Sequence, residues 1–197
     1  MAKEPQINTF TNLRGVDGEV QKIQSLMVSR LSWLDYSFGL AENYTKQVDG
    51  EKYTIPVFFD TNYTDAQDLR PNDQWVDYCF WTYQDSGEVL YGDGVDNMVY
   101  RKGKPYIIYP VSCIFYMRLP KTGNYKVLKT QRRQEVIEFF DTLTGYAGIV
   151  APTQWIDHDI KAVFDGYDLG ELEERWMNLP FYALRVNMDI KFRNYCV

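Results

Sequence analysis

The chain has 197 residues, 45% hydrophobic and 24% charged, which supports the packed core of one domain. Its 21 Lys+Arg against 27 Asp+Glu leave a net charge of -6, which excludes a nucleic-acid binder working by bulk charge, because such binding needs a basic face to displace counterions. Aromatics reach 16%, with 16 Tyr, 11 Phe and 5 Trp, and Tyr and Trp are side chains that interface cores favour.

Residues 1–16 are polar with scattered apolar side chains (Ile7, Phe10, Leu13) and read as an arm ordered by a neighbour. Asp17 is the expected N-cap of a helix from Gly18 to Leu34. Val20, Ile23, Met27, Leu31 and Leu34 recur there at three- and four-residue steps and form one apolar face. Strand character follows over 36–48 and 52–60, with Asp49-Gly50 as the turn between them. Pro56 cannot donate to a ladder, so its strand is expected at an edge or bent. Residues 61–74 carry turn chemistry and read as a loop.

Trp75 to Tyr83 is apolar at both parities, as in a strand covered on both faces. Residues 84–104, rich in Gly and Asp, read as a long hairpin excursion. Pro105 to Leu119 reads as a strand region broken near Pro110 and closed by a turn at 121–124. A second helix is expected from Thr130, as N-cap, to Thr144, with Val136, Ile137, Phe140 and Leu143 on one face and Gly145 ending it. Residues 146–167 fit a strand or short irregular pieces, and Asp168 to Met177 a short helix stopped before Pro180. From Tyr182 to Phe192 apolar residues alternate strictly with Ala183, Arg185, Asn187, Asp189, Lys191 and Arg193, which predicts a strand with one buried and one wet face. The fold class is therefore α+β: a mostly antiparallel sheet on two helices, with an arm at 1–16 and a single domain over 17–197.

No apolar stretch follows Met1, so no signal peptide is expected, and no run is long enough for a transmembrane helix. Cys79, Cys113 and Cys196 are odd in number and widely spaced, which fits free thiols made in a reducing cytosol rather than a disulfide framework. Without a secretory route the sequons at Asn43 and Asn62 are chance matches.

Catalytic signals are weak. His158 lies between Asp157 and Asp159, but adjacent residues on a strand face opposite ways, and no further ligands at metal spacing follow. Asp93-Gly94-Val95-Asp96-Asn97 fails the calcium-loop pattern at its third position. Nucleophile-elbow, P-loop and dinucleotide patterns are missing, so no catalytic residue, cofactor or metal is expected. Lys126, Lys129, Arg132 and Arg133 form one basic cluster, and Arg185, Lys191 and Arg193 a second strip. The first suits contact with an acidic neighbour or with passing nucleic acid; the second shares its face with Asp189, mixes signs, and is expected to meet a neighbouring subunit or solvent rather than grip DNA.

The order of elements — the amphipathic helix Val20–Leu34, the aromatic strand Tyr53–Phe59, the helix Arg132–Leu143, then Leu179-Pro180-Phe181-Tyr182 and the alternating strand to Arg193 — resembles the neck and tail-completion proteins of tailed bacteriophages, the tail-terminator-like group. The texture, rich in Tyr, Trp, Asn and Asp, is similar to virion proteins of crAss-like phages of Bacteroides-type hosts. The resemblance implies a non-enzymatic subunit of a head–tail connector or tail-terminator ring. Such a ring is a cyclic homo-oligomer of six- or twelve-fold symmetry, flanked by portal, connector or tail proteins. The resemblance further implies DNA only as passing cargo, no membrane partner, synthesis in the host cytoplasm and a place in the virion neck or tail. The long section at 84–104 exceeds what a minimal terminator needs. Subunit-contact residues expected on this reading are Ile7, Phe10 and Leu13 in the arm, Tyr91, Asp93, Asp96, Arg101 and Lys102 in the excursion, and Arg132 and Arg133 in the basic cluster. Two other functions fit the residues: a carbohydrate- or host-surface-binding module presenting Trp75, Trp81 and Trp155, and a metal-dependent hydrolase around His158.

Overall fold

A computed structural model of the chain describes residues 6–7, 15–48, 50–59, 66–72, 74–84, 90–91, 106–143, 149–170 and 172–193. Phe10, Leu13, Asp93, Asp96, Arg101 and Lys102 lie outside these residues, as does most of the 84–104 excursion.

Helix α1 spans Gly15–Arg30 and buries Val16, Val20, Ile23, Gln24 and Met27. It starts two residues before the expected Asp17 cap, and Val16 extends the apolar face, so the arm boundary at residue 16 falls inside the helix. The backbone of strand β1 (Gln6–Ile7) pairs in parallel with Tyr36–Ser37 of β2 (Tyr36–Leu40). This part of the arm therefore lies on the chain's own sheet rather than only on a neighbour. Leu31 and Leu34 follow the helix in a turn and are still buried.

The expected strand over 36–48 divides at Ala41. β2 enters the large sheet, whereas β3 (Glu42–Val48) pairs with β4 (Glu51–Phe59) in a small antiparallel sheet completed by β5 (Ala66–Asp68). Residues 66–68, expected in a loop, are thus a strand. β4 is the middle strand, not the edge that Pro56 suggested. Pairing with β5 ends at Val57, and the next carbonyl, that of Pro56, accepts from Leu69 N–H at 2.9 Å. A strand residue's N–H and C=O point to the same side, so the donor that Pro56 lacks falls beyond the end of β5 and leaves the β3 ladder intact.

The large sheet runs β1–β2–β6–β8–β10–β9, with β6 Tyr78–Tyr83, β8 Tyr106–Arg118, β9 Ile149–Ile156 and β10 Phe181–Arg193, and with β7 (Leu90–Tyr91) pairing β8 off this path. β1–β2 and β2–β6 are parallel and the other pairs antiparallel, so the class is α+β as expected. β8 continues through Pro110 without the expected break. The solution matches that at Pro56: β6 pairing ends at Tyr83↔Val111, and the Pro110 carbonyl accepts from Gln84 N–H at 3.2 Å.

Helix α2 spans Tyr125–Leu143, five residues longer at its start than expected. Asn124 is its cap: the side chain accepts from Lys126 N–H at 2.9 Å, and the carbonyl from Leu128 N–H at 3.0 Å. Thr130 lies inside the helix, with its hydroxyl on the Lys126 carbonyl. Val136, Phe139, Phe140 and Leu143 are buried, whereas Ile137 is only half-buried. The short helix α3 (Ile160–Val163) and a 3-10 turn at Glu174–Met177 precede β10.

The large sheet is covered on both faces. α1 and α2 pack on the face of Cys79, Trp81, Cys113, Phe115, Leu184, Val186 and Ile190. On the other face Tyr78, Phe80, Ile114, Tyr116, Phe181 and Ala183 meet α3, Phe58 of the small sheet and the 3-10 turn. The alternation expected for the last strand therefore holds for Tyr182 to Ile190, but its second face is not wet: Phe181 and Ala183 are core, and Arg185, Asn187 and Asp189 are half-buried.

Candidate functional site

Beyond Ala183 and Ile114, the second face of the large sheet changes from apolar to polar in a single register row. Thr82 on β6 stands opposite Ser112 on β8, Ser112 opposite Asn187 on β10, and Asn187 opposite Gln154 on β9. Directly opposed side chains on one face lie within bonding reach, and here Ser112, Asn187 and Gln154 form a chain, while Thr82 bonds to Tyr167 instead. Tyr167 Oη donates to Thr82 Oγ1 at 2.9 Å, Ser112 Oγ to Asn187 Oδ1 at 2.7 Å, and Asn187 Nδ2 to Gln154 Oε1 at 2.9 Å. Arg185, one step nearer the core on β10, lays its guanidinium across the row. Its Nε donates to Ser112 Oγ and to Asn187 Oδ1, both at 3.1 Å, and its Nη1 to the Asp165 carbonyl at 3.2 Å. Ser112 and Thr82 are buried, so these bonds hold groups that would otherwise be costly to dehydrate.

Sequence reading placed Arg185 on a wet charged strip and did not find Thr82, Ser112, Asn187 and Gln154 as a unit. The β10 alternation marks which residues share a face, but cross-strand register comes only with the folded sheet.

A second polar cluster lies at the other end of β10. Asp157 accepts from Tyr182 Oη at 3.2 Å and pairs with Arg133 Nη1 at 3.1 Å. Burial, then the adjoining Asp157 carboxylate, push the Tyr182 hydroxyl up from its usual pKa. Lys129 Nζ sits 5.5 Å from the Tyr182 ring centre. Lys129, His158, Asn178 and Tyr182 line a cavity of about 210 Å3 there. His158 is exposed, Asp157 faces Arg133, and Asp159 caps α3 by accepting from Lys161 N–H, so the triplet does not converge. Among the described residues no group of three or more His, Cys, Asp or Glu is placed to hold a metal.

Of the expected contact residues, Arg132 pairs with Glu135 at 2.9 Å and lies 5.1 Å over the Trp33 ring, and Arg133 pairs with Asp157; both have partners in their own chain. The backbones of Ile7 and Tyr91 are held in the large sheet. Of the tryptophans expected on a binding surface, one is buried and two are half-buried against the cores. Trp81 is fully buried beside Phe140, Trp75 meets Tyr36 and Phe38 edge-on, and Trp155 packs on Phe140. No helix among the described residues is long and apolar enough to cross a membrane.

Compared with known proteins, the chain matches no family model, no curated protein and no solved structure.

Proposed function

We propose that the chain is a non-enzymatic structural subunit of a head–tail connector or tail-terminator ring of a tailed phage. It assembles with copies of itself in six- or twelve-fold symmetry between portal, connector or tail proteins, with DNA passing through and no membrane contact. The observation that carries this reading is the β3–β4 hairpin. Glu42, Asn43, Tyr44, Thr45, Gln47, Glu51 and Lys52 are all exposed, Tyr44 by 47%, although the two strands are fully paired from Glu42↔Val57 to Val48↔Glu51. β4 is tied to the chain's own core through Ile55, Val57 and Phe58, so the exposed side chains lie mainly on β3, the edge strand of its sheet, and an exposed edge suits pairing with a neighbour. The element order and aromatic load noted above support the same reading.

Solution mass and negative-stain images of the purified protein test it. A closed ring of six or twelve copies is expected, alone or on purified portal or tail ends. A monomer that joins neither itself nor those ends overturns it. The burial of Trp81 and the half-buried packing of Trp75 and Trp155 on aromatic neighbours weigh against the sugar-stacking alternative, which needs exposed indoles.

A further inference from the structure

The polarity of the Thr82–Ser112–Asn187–Gln154 row is fixed by one group. Arg185 only donates, so the Asn187 atom facing its Nε must be the amide oxygen. Asn187 Nδ2 then points to β9, the Gln154 oxygen must receive it, and the Gln154 amino group is turned away from the row. Among the described residues this surface leaves N–H donors unused: both on the Gln154 amino group leaving the row, the second on Asn187, and, on Arg185, one Nη1 hydrogen and the Nη2 pair, among acceptors that include a second lone pair on Gln154 Oε1. The guanidinium is half-buried, and its partners are a hydroxyl, an amide oxygen and a main-chain carbonyl, with no carboxylate among the described residues. Asp189, four residues along the same face, forms no ion pair with it.

A half-buried cation held by neutral acceptors beside surplus donors is a receptor for an anion. We propose that Arg185, Asn187 and Gln154 bind a carboxylate. The guanidinium fork matches a planar carboxylate in a two-bond pairing, and a chain of net charge -6 does not attract an extended polyanion. The carboxylate is either a free small acid or an acidic side chain of a neighbouring copy.

Sodium acetate, titrated at constant ionic strength against chloride, is the probe, read by NMR at the Arg185 Nε–H and the Asn187 and Gln154 side-chain amides. A saturable shift confined to these groups is expected. Arg185→Gln should weaken it roughly tenfold, the weight of a charge-assisted pair. Asn187→Asp supplies an internal carboxylate to Arg185, so it should abolish acetate binding without lowering the melting temperature, whether or not Arg185→Gln folds. A non-saturable shift equal to that of chloride, undiminished binding in Asn187→Asp, or saturation by inorganic phosphate but not acetate overturns the proposal.

Sedimentation with and without acetate separates the two sources. Acetate dissociates an assembly that uses a neighbour's side chain and leaves the mass unchanged if the ligand is a free acid. A monomer that binds acetate keeps this site and loses the ring, so the two readings fail separately.

Discussion

Thr54 and Asp168, distant in sequence, bond to each other twice: Thr54 N–H donates to Asp168 Oδ2 at 2.5 Å, and Asp168 N–H donates to the Thr54 carbonyl at 2.9 Å. The pair closes the side of β4 that β5 does not reach. Arg70 reinforces it, with Nη1 on the Asp168 carbonyl at 2.8 Å and Nη2 on Asp68 at 2.7 Å.

Asp168→Ala should therefore loosen the hairpin while sparing the large sheet. Losing a charged acceptor for a main-chain N–H costs about 1–3 kcal/mol. Hydrogen exchange should quicken at Lys52–Ile55 and stay slow in β8 and β10. Equal loss of protection in both sheets would show that Asp168 stabilises the whole fold instead.

Asp77 ties the ends of three strands. Its φ of 58° is left-handed, its carbonyl accepts from Asp35 N–H at 2.7 Å, and its side chain accepts from Arg118 N–H at 2.9 Å. Burial raises its pKa to about 6, with Asp35 adding to the rise and Arg118 and Arg132 opposing it. The folded state binds this proton more tightly than the unfolded state, so its stabilising effect is complete below 3.8 and lost as pH rises through about 6. Asn keeps the acceptor and tolerates the left-handed backbone. Asp77→Asn should thus be more stable than the parent at pH 8, by about 1–2 kcal/mol, with the gap closing towards pH 4. Asp77→Ala should be less stable at both. Melts across this range decide it, and a parallel offset for Asp77→Asn at every pH would contradict the titration.

Arg185→Glu and Ile190→Ala should both destabilise, for different reasons. The first sets a carboxylate against Ser112 Oγ, Asn187 Oδ1 and the Asp165 carbonyl, at about 1–3 kcal/mol. The second leaves a cavity under α1 and α2, at about 2–5 kcal/mol. Protonation at pH 4 should relieve only the glutamate. On the wet face that the sequence predicts for β10, Arg185→Glu would be nearly neutral, but Arg185 is half-buried and bonded.

Cys79 and Cys113 are buried free thiols on the helix-covered face, and burial pushes the Cys113 thiol well up. Neither should react with a thiol reagent in the native protein, and both should react on unfolding, as peptide mapping will read. Rapid native labelling of Cys113 would mean that α1 and α2 open readily.

Patterns carried by one element were legible in the sequence. Val20 to Leu34 and Tyr182 to Ile190 display their buried faces because helix and strand periods act residue by residue. What depends on a neighbour was not. Both Pro56 and Pro110 looked like breaks, yet each sits one residue past the end of the adjoining strand, a position set by the length of β5 or β6. The start of α2 was misplaced because Asn124 was read as part of a closing turn, and its capping bond to Lys126 gave the next turn a helical beginning. The polar row stayed hidden because Thr82, Ser112, Gln154 and Asn187 are ordinary residues until register aligns them.

β10 follows both β8 and β9 in the chain, yet it lies between them and contributes to both cores. Until Phe181–Arg193 has emerged, β9 has no partner in the sheet and β8 shows an open edge from Tyr106 to Arg118 beside largely apolar faces. Such an edge is a template for wrong pairing. The β8 edge that β10 will cover therefore stays open through the whole synthesis of α2, β9 and α3.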